Sequence, residues 1–255
     1  MDLLNLFKYK KPVDEQLVTK LTDYLQHYYQ YLSKHGHHKI MVRISGDINS
    51  IVAGALLRQA SKENIVAMIF DFGTDETNSL VELCKYSGLE TFILKRGAAY
   101  QSEISAYQLH TPASLKRFYQ RFINYHSAIQ AENMKAVIVD TFDKSDRLLG
   151  NRPEGFYGHL MPFYSLYKSE LYDLAQFLNI PGQFIPLTNY QGLLYPENIA
   201  LTWDKIDPIL FLLTEKQISP EEISQQFCVD LTWLKKLKTR IDKKSLETTV
   251  SQFII

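Results

Sequence analysis

The chain has 255 residues, 45% of them hydrophobic and 22% charged, with Lys+Arg and Asp+Glu equal at 28 each. That length buries a full core and fits one large α/β domain, with or without a small helical lobe. Zero net charge removes the basic excess that nucleic acid or an anionic membrane would need, and the two cysteines, Cys84 and Cys228, lack the spacing of a disulfide framework or zinc site.

Residues 1–13 show no apolar run before a small-residue cleavage site, and no stretch reaches the roughly 18–20 apolar residues that span a bilayer. The expectation is a reduced, cytoplasmic protein with neither membrane nor nucleic acid as partner.

Residues 14–35 read as a helix, because Leu17, Leu21, Tyr24, Leu25, Tyr28 and Leu32 recur on one face, Pro12 precedes it and Gly36 can end it. Tyr24, Tyr28, Tyr29 and Tyr31 add an aromatic face, which is core or dimer interface; leucines on the same side favour the interface. Strands are predicted at 40–44, 65–70, 90–94 and 136–139. Helices are predicted at 50–59, 79–86, 113–130 and 165–178, the last stopped by Asn179-Ile180-Pro181. Residues 97–112 read as a loop with broken helix, and 150–162 and 188–196 as loops. Beyond Leu201 the pattern is helical, and Ser219-Pro220-Glu221-Glu222 has the cap, proline and acids of a helix start.

Alternating strand and helix periods predict an α/β fold, a parallel sheet with crossover helices on both faces, Rossmann-like. We expect a single domain over 1–255, with a nucleotide-binding core at 1–200 and a helical C-terminal part at 201–255.

The segment that points to chemistry is Ser45-Gly46-Asp47-Ile48-Asn49-Ser50, between the first sheet strand and the following helix. Such a turn sits where open α/β sheets bind ligands, and amide hydrogens at a helix start suit phosphate. The plain alternative is a turn in which Asn49 or Ser50 caps the helix. His35, His37 and His38 lack a carboxylate at ligand spacing and read as a solvated turn.

The turn resembles the SGGxDS pyrophosphate loop of ATP pyrophosphatases. Residues 136–181 (AVIVDTFDKSDRLLG … HLMPFYSLYKSELYDLAQFLNIP) are similar to the pattern LVLGTGNKSE-x-xLG … DLLPIxxLYKxxVxxLAxxLxIP of ammonia-dependent NAD synthetases. LTWDKID at 201–207 and SPEEI at 219–223 resemble later family segments, so the likeness runs over most of the chain.

That resemblance implies an adenine nucleotide alpha hydrolase-like fold and a homodimer. It implies ATP as co-substrate, Mg2+, and deamido-NAD amidated by ammonia through an adenylated intermediate. It implies ATP contacts at Ser45, Gly46, Asp47, Asn49, Ser50, Thr141, Lys168 and Thr188. It implies substrate contacts at Arg117, Arg121 and His159, and metal ligation at Asp146, with Asp47 as a second candidate. By residue type alone, Lys168 is a solvated helix lysine, Asp146 a helix-start acid, and Arg117 and Arg121 a basic helix face.

The chain also departs from the pattern. Asp47 stands where the loop has glycine, which crowds the approach to phosphate, and Asn49 stands where it has an acid, which weakens metal binding. Arg152 to Gly158 replace a YGDGG loop, His159 replaces an aspartate, the 188–196 loop lacks acids, and Lys243-Lys244 stand for an HKR segment. Two main readings follow, an active ligase or a catalytically impaired relative that binds nucleotides as a regulatory module. A third is an ATP pyrophosphatase acting on another substrate.

Overall fold

The computed structural model describes residues 9–61, 63–150 and 158–248. Four strands, β1 (Lys39–Arg43), β2 (Ile65–Asp71), β3 (Glu90–Lys95) and β4 (Ala136–Val139), form a parallel sheet in the order β3-β2-β1-β4. Side chains alternate between its faces. Ile40, Val42, Ala67, Ile69, Val137 and Val139 pack on one side against α1 (Glu15–Ser33), α2 (Ile48–Ala60), α3 (Glu76–Ser87) and α7 (Lys168–Phe177). Met41, Met68 and Phe70 pack on the other against Phe122, Ile123 and Ala131 of α5 (Pro112–Met134). Helices therefore cover both faces, as the alternating pattern predicts.

Local signals place the helix ends. Asp14 caps α1 by accepting from the Leu17 N–H at 2.8 Å. Thr111 and Ser114 form a capping box with Pro112 in the first turn of α5. Gly88 closes α3 in a left-handed conformation that only glycine adopts without cost (φ 64°).

Three elements differ from the sequence reading. The stretch expected as a broken helix contains α4 (Gly97–Ala106), which buries no residue and so shows no clean apolar stripe. A six-residue helix, α6 (Lys144–Leu149), follows β4; it is too short to show a period, and Asp143 and Gly150 bound it. The expected loop at 188–196 is a strand, β5 (Asn189–Tyr195), paired antiparallel with β6 (Ile199–Thr202). The connection is a 3-10 turn in which Glu197 and Asn198 take positive φ, without the Asn-Gly or Asp-Gly that marks a hairpin in sequence.

The C-terminal helices α8 (Trp203–Thr214), α9 (Pro220–Phe227) and α10 (Leu231–Thr248) build a second core with Tyr9, Leu149, Tyr167, Tyr190 and Leu201. Among the described residues no helix is long and apolar enough to cross a membrane. The segment 152–157 of the replaced loop, and Lys244 as a side chain, lie outside the described residues; Lys243 lies within α10.

The first helix does not offer its leucines to a partner. Leu21 and Leu25 are buried against the sheet, the Tyr24 hydroxyl accepts from the Met161 N–H, and the Tyr29 hydroxyl donates to the His38 carbonyl. Only Tyr28 and Tyr31 among its tyrosines stand out into solvent as exposed large side chains. Leu25→Ala should therefore cost about 2–5 kcal/mol in equilibrium urea unfolding. Tyr31→Ala should stay within about 0.5 kcal/mol of the parent.

Candidate active site

At the carboxyl end of β1 the chain turns through Gly46, at φ 79°, where a Cβ would stand 3.0 Å from Leu80 Cδ2. The next residue caps α2. Asp47 Oδ1 accepts from the Ser50 N–H at 2.8 Å, and the Ser50 hydroxyl donates to the Asp47 carbonyl at 3.0 Å and accepts from the Ser45 N–H at 3.2 Å. The cap is thus Asp47 and not Asn49 or Ser50. The side chain that breaks the loop pattern has a structural task, and the N–H groups of Ile48 and Asn49, in the first turn, keep no intrahelical acceptor.

Asn49 points inward instead. Its Nδ2 donates to the Thr141 carbonyl at 2.7 Å and to Asp143 Oδ2 at 2.8 Å, while its Oδ1 accepts from Lys168 Nζ at 2.7 Å. Lys168 Nζ also meets Asp143 Oδ2 at 2.7 Å and Asp146 Oδ2 at 3.0 Å, with only 9% of its side chain exposed. Burial alone would lower its pKa, but the Asp143 and Asp146 carboxylates hold it well above the usual lysine range, so it stays charged. Asp143 is fully buried. Loss of water and the Asp146 charge push it up to about 6 against the pull of Lys168. Its other oxygen caps α6 by accepting from the Asp146 N–H at 2.7 Å.

A buried scaffold fixes this node. The Ser145 hydroxyl donates to Asp207 Oδ1 at 2.7 Å and accepts from the Lys168 N–H at 2.8 Å; the Ser169 N–H donates to Asp207 Oδ2 at 2.8 Å. Asp207 thereby ties α6 and α7 to α8 of the second core. Burial pushes its carboxyl up to about 7, with the Ser145 and Ser169 bonds pulling back.

The node faces a cavity of about 380 Å³, within the size of small-molecule sites. Met41, Met68 and Ile138 line it from the sheet, and Lys116, Gln120, Asn124 and Ser127, one stripe of α5, line it from the helix. Asp47, Asn49, Thr141, Asp146 and Lys168 form the wall beside the turn, and Thr188 and Trp203 close it from the C-terminal part. The Thr188 hydroxyl is 2.8 Å from the Tyr172 hydroxyl. Gly158 also lines the space; a Cβ there would lie 2.7 Å from the Asp140 backbone.

Of the residues singled out in sequence, Asp47, Asn49, Thr141, Asp146, Lys168 and Thr188 stand on this cavity, while Ser45, Gly46 and Ser50 build the turn behind it. Arg117 and Arg121 are exposed on α5, and their neighbours Lys116 and Gln120 take the cavity side. His159 does not line the cavity. Its Nδ1 accepts from the Ile138 N–H at 3.0 Å and its ring lies 5.5 Å from that of His37, with burial and His37 holding its pKa low. Sequence reasoning missed Asp143, Arg43, Asn124 and Trp203. Arg43 was visible as a lone charge in an apolar strand; its Nη1 donates to Asn124 Oδ1 at 3.1 Å, and its Nε is buried with no acceptor among the described residues.

The family model described as NAD synthase matches residues 17–250. The NH(3)-dependent NAD(+) synthetase of Wolinella succinogenes is 29% identical over 223 residues, covering 81% of this chain and 83% of its own. That of Helicobacter pylori (strain HPAG1) is 25% identical over 255 residues, covering 91% and 93%. In structure, the NH3-dependent NAD synthetase of Campylobacter jejuni superposes with a TM-score of 0.77 at 23% identity, over 96% of this chain and 100% of its own, a likeness of fold.

Removing Lys168 would strand two carboxylates. Lys168→Ala is expected to cost about 3–5 kcal/mol at pH 8. The sign with pH follows from Asp143: a folded pKa raised above the unfolded value means the native state holds the proton more tightly, so stability falls as pH rises towards 6. Without the cation that pKa climbs further, so the penalty should shrink at pH 5. Urea unfolding at the two pH values checks both.

Proposed function

The chain belongs to the NAD synthase family, and from that premise we propose that it is an ammonia-dependent ligase that amidates deamido-NAD at the expense of ATP. The nicotinate carboxylate attacks the α-phosphorus of ATP and pyrophosphate leaves. Ammonia then attacks the carboxyl carbon of the adenylate, AMP leaves, and the extra proton on nitrogen passes to solvent. No protein nucleophile is needed; the protein's part is to hold and neutralise negative charge that grows on the leaving groups.

The observation that carries this reading is the buried Lys168 ammonium, held by two carboxylates on the wall of a cavity that also meets the first turn of α2. The helix start adds amide donors and partial positive charge for the triphosphate. Thr141 and Thr188 add hydroxyls, and Arg43 and Lys116 add positive charge on the opposite wall. The apolar sheet surface at Met41, Met68 and Ile138 suits a flat heterocycle.

Magnesium is part of the same reading. Among the described residues no three His, Cys, Asp or Glu side chains group into a protein cage. Mg2+ ordinarily takes one or two carboxylates together with phosphates and water, and Asp146 and Asp47 on the wall fit that donor set. When bound, it would neutralise charge on the departing pyrophosphate. A cytoplasmic homodimer completes the proposal. Exposed Tyr107, Tyr119 and Tyr125, at the end of α4 and along α5, support such a contact better than the first helix does.

The reading without turnover drew on Asp47, Asn49 and His159, the last of which bonds the Ile138 N–H away from the cavity. The first caps α2 and the second holds Lys168, so none of the three favours it. Pyrophosphate and AMP release that requires ATP, deamido-NAD and ammonia together is expected, and release no faster than in buffer ends the ligase reading. Lys168→Met should lower kcat by about a hundredfold or more. Arg43→Gln should raise the KM for a nucleotide by about tenfold.

A further inference from the structure

The chain departs from the family pattern at two positions that lie far apart in sequence and touch in space. The SGGxDS loop has its acid where this chain has Asn49. The GTGNKSE segment has asparagine where this chain has Asp143. Asn49 Nδ2 and Asp143 Oδ2 are 2.8 Å apart across a separation of 94 residues, and both side chains bond the same ammonium.

We propose that amide and carboxylate have changed places across this hydrogen bond, so that Asp143 is the positioning residue that aims Lys168 into the cavity. This rests on the ligase reading only in assigning Lys168 to the nucleotide phosphates.

The arrangement leaves little freedom. One hydrogen of the Asn49 amide goes to the Thr141 carbonyl and one to Asp143, and its oxygen faces Lys168. The reverse orientation would set oxygen against oxygen on two sides and nitrogen against ammonium on the third. Either order of amide and carboxylate keeps one negative charge and one hydrogen bond at this place. Both helix starts accept either residue: position 143 is an N-cap, where Asp and Asn are about equal, and position 49 lies in the first turn of α2, where an acid meets the helix dipole favourably.

A single change breaks the match. Asn49→Asp puts two carboxylates against each other out of water and turns an oxygen on the Thr141 carbonyl. Asp143→Asn sets amide against amide and removes the nearest charge from Lys168. Changing both restores a carboxylate beside an amide, though the Thr141 carbonyl still lacks its donor, so recovery should be large but incomplete.

The test is a double-mutant cycle on the full chain, with the affinity for ATP by calorimetry, the KM for ATP and kcat for pyrophosphate release, and the melting temperature. Each folded single variant should bind ATP at least about tenfold more weakly, and N49D/D143N should recover to within about threefold of the parent. If N49D alone does not fold, recovery of a folded, ATP-binding protein on adding D143N is the expected result. The proposal is overturned if the double variant binds no better than the weaker single, or if the folded singles bind ATP like the parent. It is also overturned if melting temperature recovers in the double while ATP affinity does not, or if the parent binds no ATP. A parent that shows the coupled ATP affinities yet releases no pyrophosphate keeps the exchange and removes the ligase reading.

Discussion

Lys168 is a cation taken almost wholly out of water, and the rest of the site is arranged around keeping it charged. An isolated ammonium in that position would release its proton. Here two carboxylates and an amide oxygen surround it, one carboxylate sits at the start of α6, the amide sits in the first turn of α2, and the lysine itself opens α7. Three helix starts converge on one charge. The node is therefore a joint between elements and, at the same time, a fixed ammonium on the cavity wall.

The joint explains why the site stands where it does. The parallel sheet provides an open carboxyl edge at β1 and β4, but that edge alone is only half a cavity. The rest comes from the stripe of α5 and from Thr188, Asn189 and Trp203, the last of which belongs to the second hydrophobic core. Asp207, buried in that core, accepts from Ser145 and from the Ser169 N–H, so the short helix beside β4 cannot shift without disturbing the C-terminal helices. The positions of Lys168 and Asp146 are thus set by packing well away from the turn.

The departures in the phosphate loop take on a different meaning in three dimensions. A carboxylate at position 47 looks hostile to phosphate as long as it is imagined pointing into the loop. As the N-cap of α2 its charge is engaged by the Ser50 N–H, and the cost of a side chain there is offset by a satisfied helix start. Position 49 looks like a lost carboxylate until Asp143 is seen against it, holding the same ammonium.

What the sequence determined on its own was whatever depends on near neighbours. Strand and helix periods gave the alternation of a parallel sheet with its covering helices, and the glycine turn marked the sheet edge; Lys168 stood out only through the likeness of its LYK segment to the family pattern, since by residue type it reads as a solvated helix lysine. Hairpin β5–β6 and helix α6 were not legible, because they are short and held by contacts with distant residues rather than by their own pattern. The same limit hid Asp143, whose meaning lies in contacts with Asn49, 94 residues away, and with a lysine that also reaches back 119 residues to Asn49. Only the tertiary structure could decide that these three meet, since a hydrogen bond between buried polar groups depends on where whole helices are docked, and no local spacing encodes that docking.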